Sequence, residues 1–127
     1  MTLEKLDHLV LPVSDIDAIA TFYTTYLGME KRVFGEGRVA LHFGDQKINL
    51  HPAGWDYEPK ARVSIAGTAD LCFIVSEPVE ALQKKLIQRG AEIIKGPVLR
   101  TGATGCLRSI YIRDPDCNLI ELSNGVE

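Results

Sequence analysis

The chain has 127 residues and a formal net charge of −3, with 14 Lys and Arg residues against 17 Asp and Glu residues. This length indicates a single domain, which we expect to span residues 1–127. Without a basic surplus, the chain is not expected to bind nucleic acid or an anionic membrane surface. Apolar residues make up 46% of the chain, enough to build a folded core.

No apolar stretch approaches the roughly 18 residues of a membrane span, and the charged N-terminal segment has no signal sequence. The three cysteines are Cys72, Cys106 and Cys117, an odd number at wide spacing. This usage favours reduced thiols over a disulfide framework. We therefore expect a cytoplasmic protein.

The first half of the chain predicts one helix and four strands. Residues 6–13 form a β-branched and apolar run typical of a strand. Ser14 is a candidate N-cap, and apolar residues then recur at helical spacing until Gly28 ends the helix. Three short strands follow, over residues 29–34, 38–43 and 47–51.

The second half predicts the same order of elements. A strand over 69–75 leads to Pro78, which suits the first turn of a helix that ends at Gly90. Residues 55–67 form a polar link between the halves, and 96–105 form a glycine-bounded loop, long enough for a mobile lid. The remaining strands are predicted over 91–94, 107–113 and 118–123, with a turn over 114–117.

This internal repeat predicts an α+β fold of two βαβββ modules, over about 5–52 and 68–124, in a curved mixed sheet around a cleft. The repeat makes His8 equivalent to Asp70, since both lie near the start of the first strand of their module. In the last strands, Asn49 is equivalent to Glu121.

Because side chains alternate along a strand, these four residues are expected on the faces opposite the helices. His8, Asp70 and Glu121, with Asn49 or His51, are the ligand types of a divalent metal site. Two plainer interpretations stay open. A strand histidine is often only structural, and Asp70 can pair with a nearby lysine or arginine.

Three segments of the chain resemble the vicinal oxygen chelate superfamily, which includes glyoxalase I, extradiol dioxygenases, fosfomycin-resistance proteins and bleomycin-resistance proteins. The segments are residues 6–13, 22–29 and 114–122, the last similar to the signature Asp-Pro-Asp-Gly-Asn-x-Ile-Glu-Leu. Residues 51–54, 58–61 and 96–103 are similar to the glyoxalase-domain-containing and biphenyl-diol dioxygenase III-related subgroup.

The resemblance implies a metal held by His8 and Glu121. Glyoxalase I has a Glu where this chain has Asn49 and a His where it has Asp70; the fosfomycin-resistance and extradiol enzymes also have a His there. Asp70 or His51 is therefore the candidate for completing the site. The resemblance also implies a small-molecule substrate and a homodimer, whose site forms within one chain or across a swapped pair.

The leading functional hypothesis is a metal-dependent lyase or isomerase that acts on a small substrate with adjacent oxygen atoms. The metal is Ni, Zn, Mn or Fe, and Glu121 is the candidate catalytic base. One alternative is an Fe(II) extradiol-type dioxygenase using His8, His51 and Glu121. Another is a non-catalytic binding protein similar to the bleomycin-resistance proteins.

Four residues are candidates for binding the substrate. Ser109 and Tyr111 resemble a Ser-x-Tyr pair that contacts the phosphonate in fosfomycin-resistance proteins. Arg100, in the 96–105 loop, can hold a carboxylate or phosphate by a bidentate contact, or it can be an exposed surface charge. Asn49 is the fourth.

Overall fold

The predicted α+β class and the two βαβββ modules are confirmed in the computed structural model, which describes residues 1–127. The chain divides into two compact units, unit 1 over Met1–Thr68 and unit 2 over Ala69–Glu127. Each unit contains one helix and one four-stranded sheet. The strands of each module hydrogen-bond among themselves, so there are two sheets where the sequence suggested one curved sheet.

Unit 1 has the sheet order β1-β4-β3-β2, in which β1 and β4 are parallel and the other pairs are antiparallel. Its elements are β1 His8–Val13, α1 Ile16–Leu27, β2 Glu30–Phe34, β3 Arg38–Phe43 and β4 Gln46–Pro52.

Helix α1 begins one residue later than the sequence predicts. Asp15, not Ser14, is the N-cap, and its Oδ1 accepts a hydrogen bond from the Ala18 amide at 3.0 Å. A carboxylate at this position accepts a hydrogen bond from an amide that has no partner within the helix, and the positive end of the helix dipole stabilises its charge. The helix ends as predicted at Gly28, whose φ of 67° is a left-handed cap.

The core of unit 1 lies between α1 and one face of the sheet. Leu11 and Val13 of β1 are buried, as are Ile19 and Tyr23 of α1. The alternate residues of β1 turn to the other face, where His8 and Val10 are exposed. One face of β1 therefore packs in the core and the other carries His8, as the alternation of side chains along a strand predicts.

Unit 2 has the sheet order β5-β8-β7-β6, with β5 and β8 parallel. Its elements are β5 Asp70–Ile74, α2 Val79–Gln88, β6 Lys95–Thr101, β7 Cys106–Arg113 and β8 Leu119–Gly125. Leu86 of α2 is buried with Ile110, Ile120 and Leu122 of the sheet. Neither α1 nor α2 is long and apolar enough to cross a membrane.

The prediction for residues 91–105 is wrong. Residues 91–94 are not a strand, and most of the predicted loop is strand β6, so this segment is not a lid. Gly96 and Pro97 suggested a loop, but β6 is the edge strand of its sheet, where proline is tolerated. A β-bulge between Lys95 and Val98 accommodates the pair.

The strand register confirms the repeat equivalences. In unit 1, His8 lies opposite Lys47 and Val10 lies opposite Asn49. In unit 2, Asp70 lies opposite Leu119 and Cys72 lies opposite Glu121. His8 therefore occupies the position of Asp70, and Asn49 that of Glu121.

Candidate functional site

The turn between β7 and β8 fixes the position of Glu121. Asp114 Oδ1 accepts hydrogen bonds from the amides of Asp116 and Asn118, and its Oδ2 accepts one from Asn118 Nδ2 at 2.8 Å. Asn118 Oδ1 in turn accepts from the Ala69 amide at 2.9 Å, just before β5. The turn thus ties the start of β5 to the hairpin that carries Glu121.

Two buried serines orient the Glu121 carboxylate. Ser109 Oγ donates to Glu121 Oε2 at 2.6 Å, and Ser123 Oγ donates to the same oxygen at 3.3 Å. Both serines are fully buried, and their hydroxyls lie 2.7 Å apart. The hydroxyls hold Oε2, so Oε1 is the oxygen left to bind a ligand or accept a proton.

The Cys72 thiol borders this carboxylate. Its Sγ lies 3.3 Å from Ser123 Oγ, and its residue is paired with Glu121 across the two strands. Desolvation raises the pKa of Cys72, and the neighbouring Glu121 charge adds to this against the lowering effect of Ser123. The Cys72 thiol is therefore harder to ionise than an unperturbed cysteine.

Arg100 lies on strand β6, and its predicted position in a loop is wrong. Its Nε donates to the Tyr111 hydroxyl at 2.9 Å, and its Nη1 donates to the Leu99 carbonyl at 3.0 Å. Tyr111 is paired with Glu121 across β7 and β8. Arg100, Tyr111 and Glu121 therefore share one face of the sheet, on three neighbouring strands.

Asp70 completes the polar group on this face. It is an exposed residue at the first position of β5, diagonally adjacent to Glu121. Side chains alternate faces along a strand, so Asp70 and Glu121, two register positions apart, lie on the same face. Unit 2 therefore offers two carboxylates on one face.

In unit 1, Asp7 orients the His8 ring. His8 Nδ1 lies 2.8 Å from Asp7 Oδ2, and the His8 side chain is 43% exposed. This contact leaves Nε2 free. A carboxylate that holds one ring nitrogen while the other binds a metal is the usual arrangement around metal-binding histidines.

Asn49 has an unpaired acceptor. The residue is 5% exposed, and its Oδ1 is buried without a hydrogen-bond partner. A buried amide oxygen without a donor costs about 1–3 kcal/mol, which a bound ligand can recover. Asn49 is the diagonal neighbour of His8, as Glu121 is of Asp70.

His51 lies at the other end of the unit 1 sheet. Lys47 is opposite His8, and His51 is four residues further along β4, or roughly 13 Å at about 3.3 Å per residue. His51 Nε2 lies 3.1 Å from Arg38 Nη2, and its ring lies 4.8 Å from the Tyr57 ring. Within one chain, His51 cannot bind the same ion as His8 without leaving these contacts.

Burial lowers the pKa of His51, and the Arg38 charge lowers it further. Its ring is therefore neutral at neutral pH and can accept a hydrogen bond from the guanidinium. The adjacent cation is also an unfavourable neighbour for a metal ion.

Neither unit by itself gathers three His, Cys, Asp or Glu side chains that could hold a metal ion. Unit 1 presents His8 and Asn49, and unit 2 presents Asp70 and Glu121. His8 in unit 1 and Glu121 in unit 2 are each of a ligand type that divalent metals bind, and each is oriented by a hydrogen bond within its own unit.

Comparison with known proteins identifies the family. The glyoxalase/bleomycin resistance protein/dioxygenase superfamily matches residues 5–122. The chain belongs to this superfamily. The superfamily that the sequence resembles is thereby confirmed, and the two βαβββ modules are consistent with it.

Virulence protein STM3117 of Salmonella typhimurium is 52% identical over 99% of this chain and 88% of its own length. Its crystal structure matches with a TM-score of 0.96, covering 99% of this chain and all of that one. The glyoxalase domain-containing protein RDO1 of Mycosarcoma maydis is 51% identical over 98% of this chain and 70% of its own length. The metallothiol transferase FosB of Shouchella clausii is 28% identical, with coverages of 94% and 80%.

Sequence reasoning missed four residues around these sites in this superfamily member. Ser123 lies two residues after Glu121, so the strand period alone puts both side chains on one face. Arg38, Trp55 and Tyr57 surround His51, and nothing in their local sequence indicates that they meet.

Proposed function

We propose that the protein is a metal-dependent lyase or isomerase that acts on a small substrate with two adjacent oxygen atoms. The observation that carries this proposal is the Glu121 carboxylate, which two buried serines hold by one oxygen and leave free at the other. A carboxylate held in this way is suited to coordination or proton transfer. Membership of the superfamily supports the reaction class.

The proposed ligands are His8 and Glu121, with Asp70 as the third. His8 is supported by its Asp7 partner, and Asp70 by its place beside Glu121 on the sheet. The set draws on both units, of one chain or of two chains in a homodimer. The name of the relative FosB, a metallothiol transferase, agrees with metal dependence.

A divalent metal bound there would act as a Lewis acid that stabilises negative charge on the substrate oxygens. Glu121 Oε1 takes the proton from the carbon that bears the hydroxyl and returns it to the adjacent carbonyl carbon, while the hydroxyl proton passes through solvent to the former carbonyl oxygen. Asn49 has no carboxylate for this purpose, so Glu121 is the proposed base. Its serine partners hydrogen-bond the charged carboxylate before the first transfer and after the second.

The proposed substrate-binding groups are Arg100, Tyr111 and Ser109 of unit 2 and Asn49 of unit 1. Arg100 uses Nε and Nη1 within the protein and has Nη2 left for an anionic group. Tyr111 and Ser109 lie on the same face, and Asn49 offers its unpaired Oδ1 to a hydroxyl donor. These contacts indicate a polar, anionic substrate.

The first test is the metal content of tag-free protein, measured by mass spectrometry after incubation with Ni²⁺, Zn²⁺, Mn²⁺ or Fe²⁺. We expect about one ion per site, lost in both His8→Ala and Glu121→Ala. His42→Ala is the matched control, since His42 also lies on unit 1 but pairs with Arg32. Retention of metal in both variants, or no metal in the wild type, contradicts the proposal.

Ser109→Ala separates orientation from ligation. It removes the short bond to Glu121 while leaving the carboxylate, and we expect roughly 10–100-fold weaker metal binding. If the bound metal is iron, oxygen uptake in the presence of catechols tests the dioxygenase alternative. Ligand binding by metal-free protein supports the non-catalytic alternative.

The assembly and location complete the proposal. We propose a homodimer in the cytoplasm, where the three free cysteines, all exposed, remain reduced. Sedimentation of the tag-free protein tests the dimer, and a monomer at working concentration contradicts it.

A further inference from the structure

A pocket with a volume of about 360 Å³ lies in unit 1 at the end of β4, away from His8. Five of the residues that line it carry aromatic rings or charges, namely Glu36, Arg38, His51, Trp55 and Tyr57. This volume is within the range of small-molecule sites, which is about 300–1,000 Å³.

Stacked rings form one wall of this pocket. The Trp55 and Tyr57 rings lie 5.4 Å apart at an interplanar angle of 16°, and the Tyr57 and His51 rings lie 4.8 Å apart at 32°. Trp55 is 55% exposed, so part of its ring remains uncovered. An exposed aromatic ring at the end of a stack is a surface on which a further planar ring can pack.

Arg38 supplies an unneutralised positive charge. Its guanidinium lies 4.7 Å from the Phe34 ring and 5.6 Å from the Tyr57 ring. It forms no ion pair with a carboxylate, and Glu36 also lies beyond ion-pair distance. Its hydrogen-bond partner is the His51 ring, with Arg38 Nη2 3.1 Å from His51 Nε2, and not a carboxylate.

The same guanidinium has a further unpaired donor, since Arg38 Nε is buried without a hydrogen-bond partner. A cation with no carboxylate bound to it favours an anion at this end of the sheet. A guanidinium recognises a carboxylate by paired hydrogen bonds.

We propose that this pocket binds a small aromatic carboxylate, with its ring packed on the exposed part of Trp55 and its carboxylate bound by Arg38. The site is separate from His8 within unit 1 and requires no metal. It lies within unit 1, so it is present in every copy of the chain.

Trp55 is the only tryptophan of the chain, so its fluorescence reports directly on the pocket. The probe is benzoate, and its uncharged analogue benzamide is the matched control ligand. We expect a saturable change in Trp55 fluorescence with benzoate, and at least about tenfold weaker binding of benzamide, because the charge-assisted contact is lost. Equal binding of the two, or no saturable change with benzoate, overturns the proposal.

Two variants assign the contact. Arg38→Gln is expected to weaken benzoate binding at least about tenfold, whereas Arg32→Gln, on the same sheet but paired with Glu30, leaves it unchanged. Tyr57→Leu, measured by calorimetry, is a second probe if Arg38→Gln does not fold, and we expect weaker binding there too. Unchanged affinity in either pocket variant overturns the proposal.

A chelator separates this site from the proposed metal centre. Benzoate binding is expected to persist in the presence of the chelator and in His8→Ala. Loss of binding in both conditions places the carboxylate on a metal and overturns the pocket assignment. Failure of the metal proposal leaves the benzoate result intact.

Discussion

Replacing Asn118 with alanine removes the buried side chain that joins the β7–β8 turn to β5. Two hydrogen bonds are lost, from the Ala69 amide to Oδ1 and from Nδ2 to the Asp114 carboxylate. The first is a neutral bond, of about 0.5–1.5 kcal/mol, and the second involves a charge, of about 1.5–3 kcal/mol. Because Asn118 is fully buried, water does not replace them, and we expect a loss of about 2–4 kcal/mol in stability.

The assay is urea unfolding at neutral pH, followed by circular dichroism, with the slope m compared between variants. Asn118→Asp is the matched control of equal size. It keeps the acceptor for Ala69 but places a second carboxylate beside Asp114, so we expect destabilisation that shrinks as the pH is lowered and one carboxyl gains a proton. A loss below about 1 kcal/mol for Asn118→Ala, at unchanged m, refutes the assigned role of the turn.

Three further predictions concern the backbone and pH. Gly96→Ala is expected to destabilise by about 2–5 kcal/mol, because the added Cβ clashes with the Ser109 carbonyl oxygen and the residue has a φ of +108°. Gly125→Ala, whose added Cβ meets open space, is the control, and similar urea midpoints for the two variants contradict this prediction. Cys117→Gly is expected to stabilise by about 0.5–1 kcal/mol, because Cys117 has a φ of 64°, and a lower thermal midpoint contradicts it. Burial and the Arg38 charge hold the pKa of His51 below its ordinary 6.5. Stability therefore falls as the pH drops below about 6.5 and levels off once His51 of the folded protein is protonated. His51→Gln is expected to remove this pH dependence in urea titrations, and an unchanged dependence contradicts the assignment.

The Glu121 carboxylate depends on elements that are distant in sequence. Ser109 lies on β7, Ser123 on β8, and the turn that sets their register is held by Asn118. Gly96 of β6 also approaches the Ser109 backbone closely. Changes at Gly96 and Asn118 therefore test the geometry of the site as well as the stability of unit 2.

The pocket at the end of β4 gives unit 1 a chemistry of its own. Arg38 and His51 come from neighbouring strands, whereas Trp55 and Tyr57 come from the segment that follows β4. The predicted polar link thus contributes aromatic side chains to a pocket wall. The composition of residues 55–67 predicted only a linker, because the contact of Tyr57 with His51 depends on the path of the chain after β4.

The sequence alone determined the order of elements and the repeat. Apolar residues recur with a period of two in β1 and at helical spacing in α1. The glycine at position 28 predicts the end of the helix, and its left-handed φ in the structure confirms this. The equivalence of His8 with Asp70 also followed from the sequence, because both begin a strand of the same local pattern. Such features depend on nearby residues and can be deduced without tertiary contacts.

The course of β6 could not be deduced in this way. Gly96 and Pro97 indicate a loop by local preference, but β7 supplies hydrogen bonds along one side of the segment. Edge position and a bulge decide the outcome, and both are properties of the assembled sheet.

The sequence determined which face of each strand carries His8, Asn49 and Glu121, since alternation along a strand is a local rule. Only the tertiary structure decided what each side chain contacts. Ser109 and Ser123 orient Glu121, and Arg38 and Tyr57 hold His51 away from His8. The physical reason is that hydrogen bonds and ring contacts act over a few ångströms in space, between residues that only the paired strands bring together.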